Sequence, residues 1–289
     1  MSRQIEVSEE LLKSDDASVH EAASDVAYRR LAIVNIVLIG SRDSFVLVDA
    51  GLPMTAGLIR GAVEQRYGKD VKPKAILMTH GHFDHVGALE TLASDWDVPV
   101  YAHRLELPYL NGQAAYPPGD ASVDSGLMAK MAPLFPTKPV DVGARLRELP
   151  ADGSVPCLPG WRWIPTPGHS VGHVSFWRES DGLLVAGDAI ITTDQESAYA
   201  AITQEPEIHG PPRYFTVDWE AARKSVEALG ALRPQTLVSG HGRALSGAAL
   251  ASAIDKLAHS FDQVARPAKG IYLDAPAKAQ DGSAYRKAK

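Results

Sequence analysis

With a single cysteine in 289 residues, Cys157, the chain can form neither an internal disulfide nor a zinc site built on several thiolates. Cys157 stands between Pro156 and Leu158, away from the histidine-bearing stretches, and reads as an idle thiol rather than a nucleophile. No apolar run approaches the roughly 20 residues that span a bilayer, so no membrane helix is expected. The opening Met1-Ser2-Arg3-Gln4-Ile5-Glu6 has no apolar core and no cleavage-like site, and the expectation is a cytoplasmic protein. An excess of positive charge is also missing. The formal net charge of -6 gives no global pull toward nucleic acid or an anionic membrane, so neither is expected as a partner.

What is there belongs to a soluble globular chain: 45% hydrophobic and 22% charged residues, enough to bury a full core. The run of elements alternates strands and helices. LAIVNIVLI over 31–39 reads as a strand, or two with a bend near Asn35, and FVLVD over 45–49 as its hairpin partner. Helical spacing of Leu58, Ile59, Ala62 and Val63 predicts a helix over 54–67, stopped by Gly68. A strand over 75–78, a short helix over 86–94 and a strand over 98–102 complete a β-β-α-β-α-β order, which is an α/β pattern. Further on, strands are expected over 161–165, 173–177, 183–186 and 236–239. Helices are expected over 217–232, with Thr216 as N-cap, and over 247–264.

Three flanking segments read differently. Residues 1–25 are polar and acidic, an N-terminal arm, and 267–289 form an Ala-, Lys- and Pro-rich tail expected to be flexible. Residues 26–266 make the main domain. Within it, about 111–150 is proline-rich and reads as an insertion serving as a lid.

The chemistry concentrates in Thr79-His80-Gly81-His82-Phe83-Asp84-His85, directly after the apolar run 75–78. In extended chain His80 and His82 share one face, and a turn into a helix after Phe83 swings Asp84 and His85 to a neighbouring point. The result is two half-built metal sites of imidazole and carboxylate, suited to zinc and able to hold iron or manganese. Three more strand ends carry one ligand-type residue beside glycine: Gly168-His169, Gly187-Asp188 and Gly240-His241. Each taken alone could equally cap a turn; together with the first stretch they make a set of five histidines and two aspartates. Asp49, at another strand tip, either supports this set from behind or caps its own turn.

The motifs THGHFDH, TPGHSVGH, AGDA and SGHG, in that order between Val34 and His241, closely resemble the metallo-β-lactamase-fold hydrolases. The resemblance implies an αββα sandwich of two mixed β-sheets with outer helices and a dinuclear metal site at one edge. It implies His80, His82 and His169 on one divalent ion, Asp84, His85 and His241 on the other, and Asp188 bridging them; zinc is the expected metal, iron or manganese the alternatives. It further implies a bridging hydroxide that cleaves a small ester-like substrate such as a lactone, thioester or other carboxylic ester. Asp84 would orient it and take its proton, with no serine nucleophile required. His173 is expected to be structural. Departures from subfamily patterns narrow the choice. True β-lactamases lack the bridging aspartate. Glutathione-thioester glyoxalases carry Gly-His-Glu-Tyr where this chain has Gly240-His241-Gly242-Arg243, and quorum-signal lactonases carry a tyrosine where it has Ile191, with Tyr199 or Tyr214 as replacements. A mononuclear iron persulfide dioxygenase and a phosphoesterase are the enzymatic alternatives. Tyr214, Phe215 and Arg243 are the expected substrate contacts, with Tyr116, Met128 and Phe135 as further wall residues. For each aromatic, packing the insertion onto the body is an equal reading.

Overall fold

The strands Val34–Ser41 and Ser44–Val48 carry apolar residues on both faces, and the fold uses both. A computed structural model describes residues 18–123, 127–194 and 207–288. In chain order the first strands are β1 (His20–Ala23), β2 (Val26–Leu31), β3 (Val34–Ser41), β4 (Ser44–Val48), β5 (Ile76–Leu77), β6 (Val100–Ala102), β7 (Ala114–Ala115) and β8 (Leu146–Glu148). The second group is β9 (Trp161–Pro165), β10 (Val174–Arg178), β11 (Leu183–Gly187), β12 (Thr236–Ser239), β13 (Leu245–Ser246) and β14 (Arg286–Lys287). They form a seven-stranded sheet in the order β1-β2-β3-β4-β5-β6-β8, a five-stranded sheet β13-β12-β11-β10-β9, and the small pair β14-β7. The first is antiparallel through β4 and parallel from β4 to β8; the second is antiparallel except for β11 and β12.

Period-two alternation assigns the faces. Val37, Ile39, Val46 and Val48 join Phe176, Val185 and Val238 between the sheets. Ile36, Leu38, Phe45 and Leu47 turn outward to pack under Ile59 and Val63 of helix α1 (Ala56–Tyr67) and Leu89 and Leu92 of a second helix, Leu89–Trp96. On the other flank Leu184, Ala186 and Leu237 of the five-stranded sheet lie under the helices Trp219–Ala231 and Ala248–His259. The result is the expected αββα sandwich, with strands covered on both sides and so apolar along their length.

Several boundaries differ from the sequence reading for identifiable reasons. The bend expected near Asn35 falls at Ala32, which takes a positive φ of 58° between β2 and β3. The helix expected from 217 is capped by Asp218, whose Oδ1 accepts from Ala221 N–H at 2.9 Å, while the Thr216 hydroxyl donates to Pro212 O instead. The insertion is shorter than 111–150: β8 is an edge strand of the larger sheet and Leu149 lies in the core between sheets. The N-terminal arm is not free throughout, since β1 pairs with β2.

The tail from 267 is not frayed. β14 pairs with β7, Tyr109 Oη donates to Ala284 O at 2.8 Å, and Tyr272 and Ala284 are buried. Its low hydropathy misleads because the docking is done by backbone hydrogen bonds and by small alanines that fit close to the body. Among the described residues no helix is long and apolar enough to cross a membrane.

Candidate metal centre

Parallel strand pairing builds the site. Val48 of β4 stands opposite Leu77 of β5, so the residues just past the two strands, Asp49 and Thr79, meet. Thr79 donates its N–H and its hydroxyl to Asp49 Oδ1 and Oδ2, each at 2.8 Å. In the other sheet Gly187 of β11 stands opposite Ser239 of β12, which brings Asp188 beside His241, Oδ2 to Nε2 3.0 Å. The sheets are laced together at this same end. Val174 N–H donates to Thr79 O at 3.0 Å, Asn35 N–H to Gly240 O at 2.7 Å, and Asn35 Nδ2 to Ser239 O at 2.9 Å. The approach is tight: a Cβ at Gly240 would lie 1.9 Å from Asp188 Oδ1, so no larger residue fits there without displacing the carboxylate.

All seven residues singled out in the sequence converge here, and all are buried. Their ligand atoms make three overlapping groups, within each of which they lie within 4.8 Å of one another: His80, His82 and His169; His80, His85 and Asp188; and Asp84, His85 and His241. His82 Nδ1 and His169 Nε2, 87 residues apart in sequence, are separated by 2.8 Å. Asp188 lies between the outer two groups, with Oδ1 3.4 Å from His85 Nε2 and Oδ2 3.4 Å from His169 Nε2. His82 at 5% and Asp84 at 7% exposure are the most accessible members and mark the open side.

Supporting acceptors set the ring tautomers. His85 Nδ1–H donates to Asp49 Oδ2 at 2.9 Å and His241 Nδ1–H to Ile33 O at 2.7 Å. The Thr79 hydroxyl, already donating to Asp49, can only accept from His80 Nδ1, at 3.0 Å. In each ring this leaves Nε2 facing the centre with its lone pair. His173 uses both nitrogens elsewhere, Nδ1 with Thr166 Oγ1 at 2.8 Å and Nε2 accepting from Asp188 N–H at 2.9 Å. It fixes the aspartate and cannot itself be a ligand.

Charge divides the centre into two unlike halves. Burial, and then the neighbouring imidazoles, hold His80 and His169 well below the usual histidine range, and burial takes His82 down to about 3, so these three rings are neutral. For His85 and His241 burial works in the same direction, but Asp188 and Asp84 outweigh it and raise both. Burial likewise opposes ionisation of Asp188, yet His241 and His85 prevail and hold its carboxyl well below the carboxylate range. Asp84, where burial wins, is raised.

The residues fit a bound cation. His80 Nε2, His85 Nε2 and Asp188 Oδ1 are fully buried, face the centre and have no hydrogen-bond partner among the described residues. Unsatisfied buried polar atoms are costly, and a metal ion satisfies all three.

The cluster of ligand-type residues was legible from spacing; its supports were not. Asp49 was left open in the sequence and proves to orient His85. Ile33 and Asn35 carry no motif signal, and Thr79 opens the THGHFDH stretch without being of a ligand type, because a hydroxyl or a backbone carbonyl becomes a support only once the chain brings it alongside. Replacing Asp49 by asparagine puts an amide donor against Thr79 or His85; facing His85, it would turn the ring tautomer and point Nε2–H at the centre. Zinc affinity is expected to fall about 10- to 100-fold, measured by competition with a chelator, and an unchanged affinity would refute this role.

Other expectations are placed as follows. Tyr116 has its hydroxyl engaged by Gly81 N–H at 2.8 Å and by Glu106, which makes it a support rather than a free substrate contact. Phe215 and Tyr214 pack with Val123, Ala129 and Ala132 of the insertion, and the Phe215 ring lies 5.0 Å from that of His82. Arg243 is exposed and lines a cavity of about 240 Å³ with His20, Tyr28 and Arg30. Tyr199 and the Met128 side chain lie outside the described residues. Gly168-His169-Ser170-Val171-Gly172 has the spelling of a serine-hydrolase elbow, but Ser170 is buried and its hydroxyl donates to Glu106 Oε1 at 2.8 Å, so it is no nucleophile. Cys157 is exposed.

A two-sheet sandwich with outer helices and a histidine–aspartate centre at the end where the sheets meet defines a class of metal-binding hydrolases. The chain belongs to the metallo-beta-lactamase superfamily, whose family model matches residues 29–241. It is 45% identical over 247 residues to the probable metallo-hydrolase YflN of Bacillus subtilis, covering 84% of this chain and 94% of that protein. It is 28% identical over 238 residues to a hydroxyacylglutathione hydrolase of Cereibacter sphaeroides, 78% of this chain and 72% of that one. Among solved structures, a B3 metallo-beta-lactamase with an active-site glutamic acid superposes with a TM-score of 0.60 at 22% identity, covering 89% of this chain and 93% of that one. That match bears on the fold alone.

Proposed function

We propose that the protein is a dinuclear metal-dependent hydrolase of a small ester-like substrate, with zinc as the metal. The observation that carries this reading is the position of Asp188, its two carboxylate oxygens divided between His85 on one side and His169 and His241 on the other. His80, His82 and His169 would hold one ion, Asp84, His85 and His241 the second, with Asp188 shared. Such a pair, when bound, polarises a substrate carbonyl and lowers the pKa of water toward about 7. Asp84 stands on the open side, so its carboxylate can take a proton from the attacking water and return it to the leaving group. The Phe215 ring beside His82, with Phe135 stacked on Phe83 at 5.3 Å, offers an apolar wall for the acyl part. Arg243, exposed and lining the cavity with His20, Tyr28 and Arg30, is the cation this reading assigns to an acidic group of the substrate. Tyr214 supports this wall.

Among ester-like substrates the thioester class has the most support, from the similarity to a hydroxyacylglutathione hydrolase. Gly242-Arg243 after His241 departs from the glyoxalase pattern and argues for a different thiol carrier. Elemental analysis combined with a turnover panel of thioesters, lactones, aryl esters and phosphodiesters tests the proposal. About two zinc ions per chain and hydrolysis of carboxylic esters or thioesters are expected. One iron and no zinc, or turnover of phosphodiesters alone, would overturn it in favour of a mononuclear dioxygenase or a phosphoesterase.

A further inference from the structure

Glu106 stands behind the metal centre with 0% exposure and belongs to none of the three ligand groups. Its carboxyl accepts four hydrogen bonds from three segments. Oε2 receives Gly81 N–H at 3.0 Å and the Tyr116 hydroxyl, and Oε1 receives the Ser170 hydroxyl at 2.8 Å and Gly172 N–H at 2.9 Å. Gly81 separates His80 from His82, Ser170 follows His169, and Gly172 precedes His173. One buried carboxylate, using its full acceptor capacity, therefore joins the backbone of the two loops that supply the all-imidazole group. The fit leaves no slack: a Cβ on Gly172 would come within 2.8 Å of Glu106 Cγ and Oε1. Tyr116 completes the clasp, its ring 4.3 Å from that of His82 and stacked at 3.7 Å on Tyr109.

We propose that Glu106 is a positioning residue for the ion held by His80, His82 and His169, acting by locking the Gly81 and Ser170–Gly172 loops in the register that converges His82 Nδ1 on His169 Nε2. The proposal rests on the reading of that group as a metal site. Glutamine cannot substitute. A side-chain amide presents an NH2 to one of the two donor pairs, and although the Ser170 or Tyr116 hydroxyl can turn to accept it, the backbone N–H of Gly81 or Gly172 cannot.

The test is a zinc titration of chelator-stripped wild-type protein, Glu106→Gln, Ser170→Ala and His82→Ala, in competition with a chromophoric chelator and alongside thermal melting. Wild type should bind zinc in two steps, and His82→Ala should lose the step assigned to the all-imidazole group. Glu106→Gln should weaken that same step about 10- to 100-fold and leave the other within about threefold. Ser170→Ala, which removes a single donor and keeps the fold, should weaken it several-fold. If Glu106→Gln lowers only the melting temperature, or weakens both steps alike, the residue is merely structural and the proposal fails. Should Glu106→Gln not fold, an unchanged step in Ser170→Ala overturns it equally. Wild-type protein that takes up no zinc, or His82→Ala that keeps both steps, overturns the metal reading itself, an outcome distinct from either of these.

Discussion

Replacing Asp188 by asparagine is expected to reduce bound zinc from about two ions per chain to about one and to cut hydrolysis by on the order of 10³. The substitution preserves shape, so the effect isolates charge. Asp188 Oδ2 lies 3.0 Å from His241 Nε2 and 3.4 Å from His169 Nε2, and Oδ1 lies 3.4 Å from His85 Nε2. In the variant an NH2 group must face at least one of these nitrogens, where it would donate into a lone pair otherwise available to a cation. The remaining carboxylate of the cluster, Asp84, lies 3.5 Å from His241 Nε2 and outside the group of His80, His85 and Asp188. One ion of a two-ion site contributes several kcal/mol to the transition state, and about 1.4 kcal/mol corresponds to tenfold in rate. Metal content by mass spectrometry and turnover on the best substrate of the panel decide the matter. A variant with two ions and activity within tenfold of wild type would sink the shared-aspartate reading. The ion proposed for His80, His82 and His169 is the one expected to remain, since that group consists of three imidazoles and no carboxylate.

The second large effect concerns stability. Phe176 on β10 is fully buried between the sheets among Val26, Val37, Val46 and Val185. Truncation to alanine removes a ring from a close-packed layer that cannot collapse around the gap, because strands hydrogen-bonded on both sides hold it open. A loss of about 3–5 kcal/mol is expected, with a fall of roughly 10 °C in melting temperature. Zinc stoichiometry measured well below the transition should stay at the wild-type value, since the ring lies in the core and not at the centre. A loss under about 1 kcal/mol would mean that this layer is not the main core.

The sequence carried much of this in plain form. Apolar runs at 31–39 and 45–49 announced a strand hairpin, and the helical spacing around Ile59 announced the helix that follows it. The seven ligand-type residues were legible because each follows an apolar run and sits beside glycine or another ligand, a local pattern that needs no fold to be noticed. Where local composition and tertiary role part company, the reading failed. The tail looked solvated, yet its backbone completes a strand pair with β7. Thr216 looked like a cap, yet its hydroxyl turns to Pro212 O while Asp218 caps the helix. Glu106 gave no local signal, since its donors come from Gly81, Tyr116, Ser170 and Gly172.

Residue order by itself determined which ligand-type side chains the cluster can draw on, because residue identity and the short spacing from His80 to His85 are properties of the chain alone. It also determined the alternation that lays two sheets against each other. Tertiary structure alone decided how those ligands are held. The tautomers of His80, His85 and His241 depend on Thr79, Asp49 and the Ile33 carbonyl, and the register of the two histidine loops depends on Glu106. Those partners come from distant segments, and a hydrogen bond exists only where folding has brought donor and acceptor within about 3 Å.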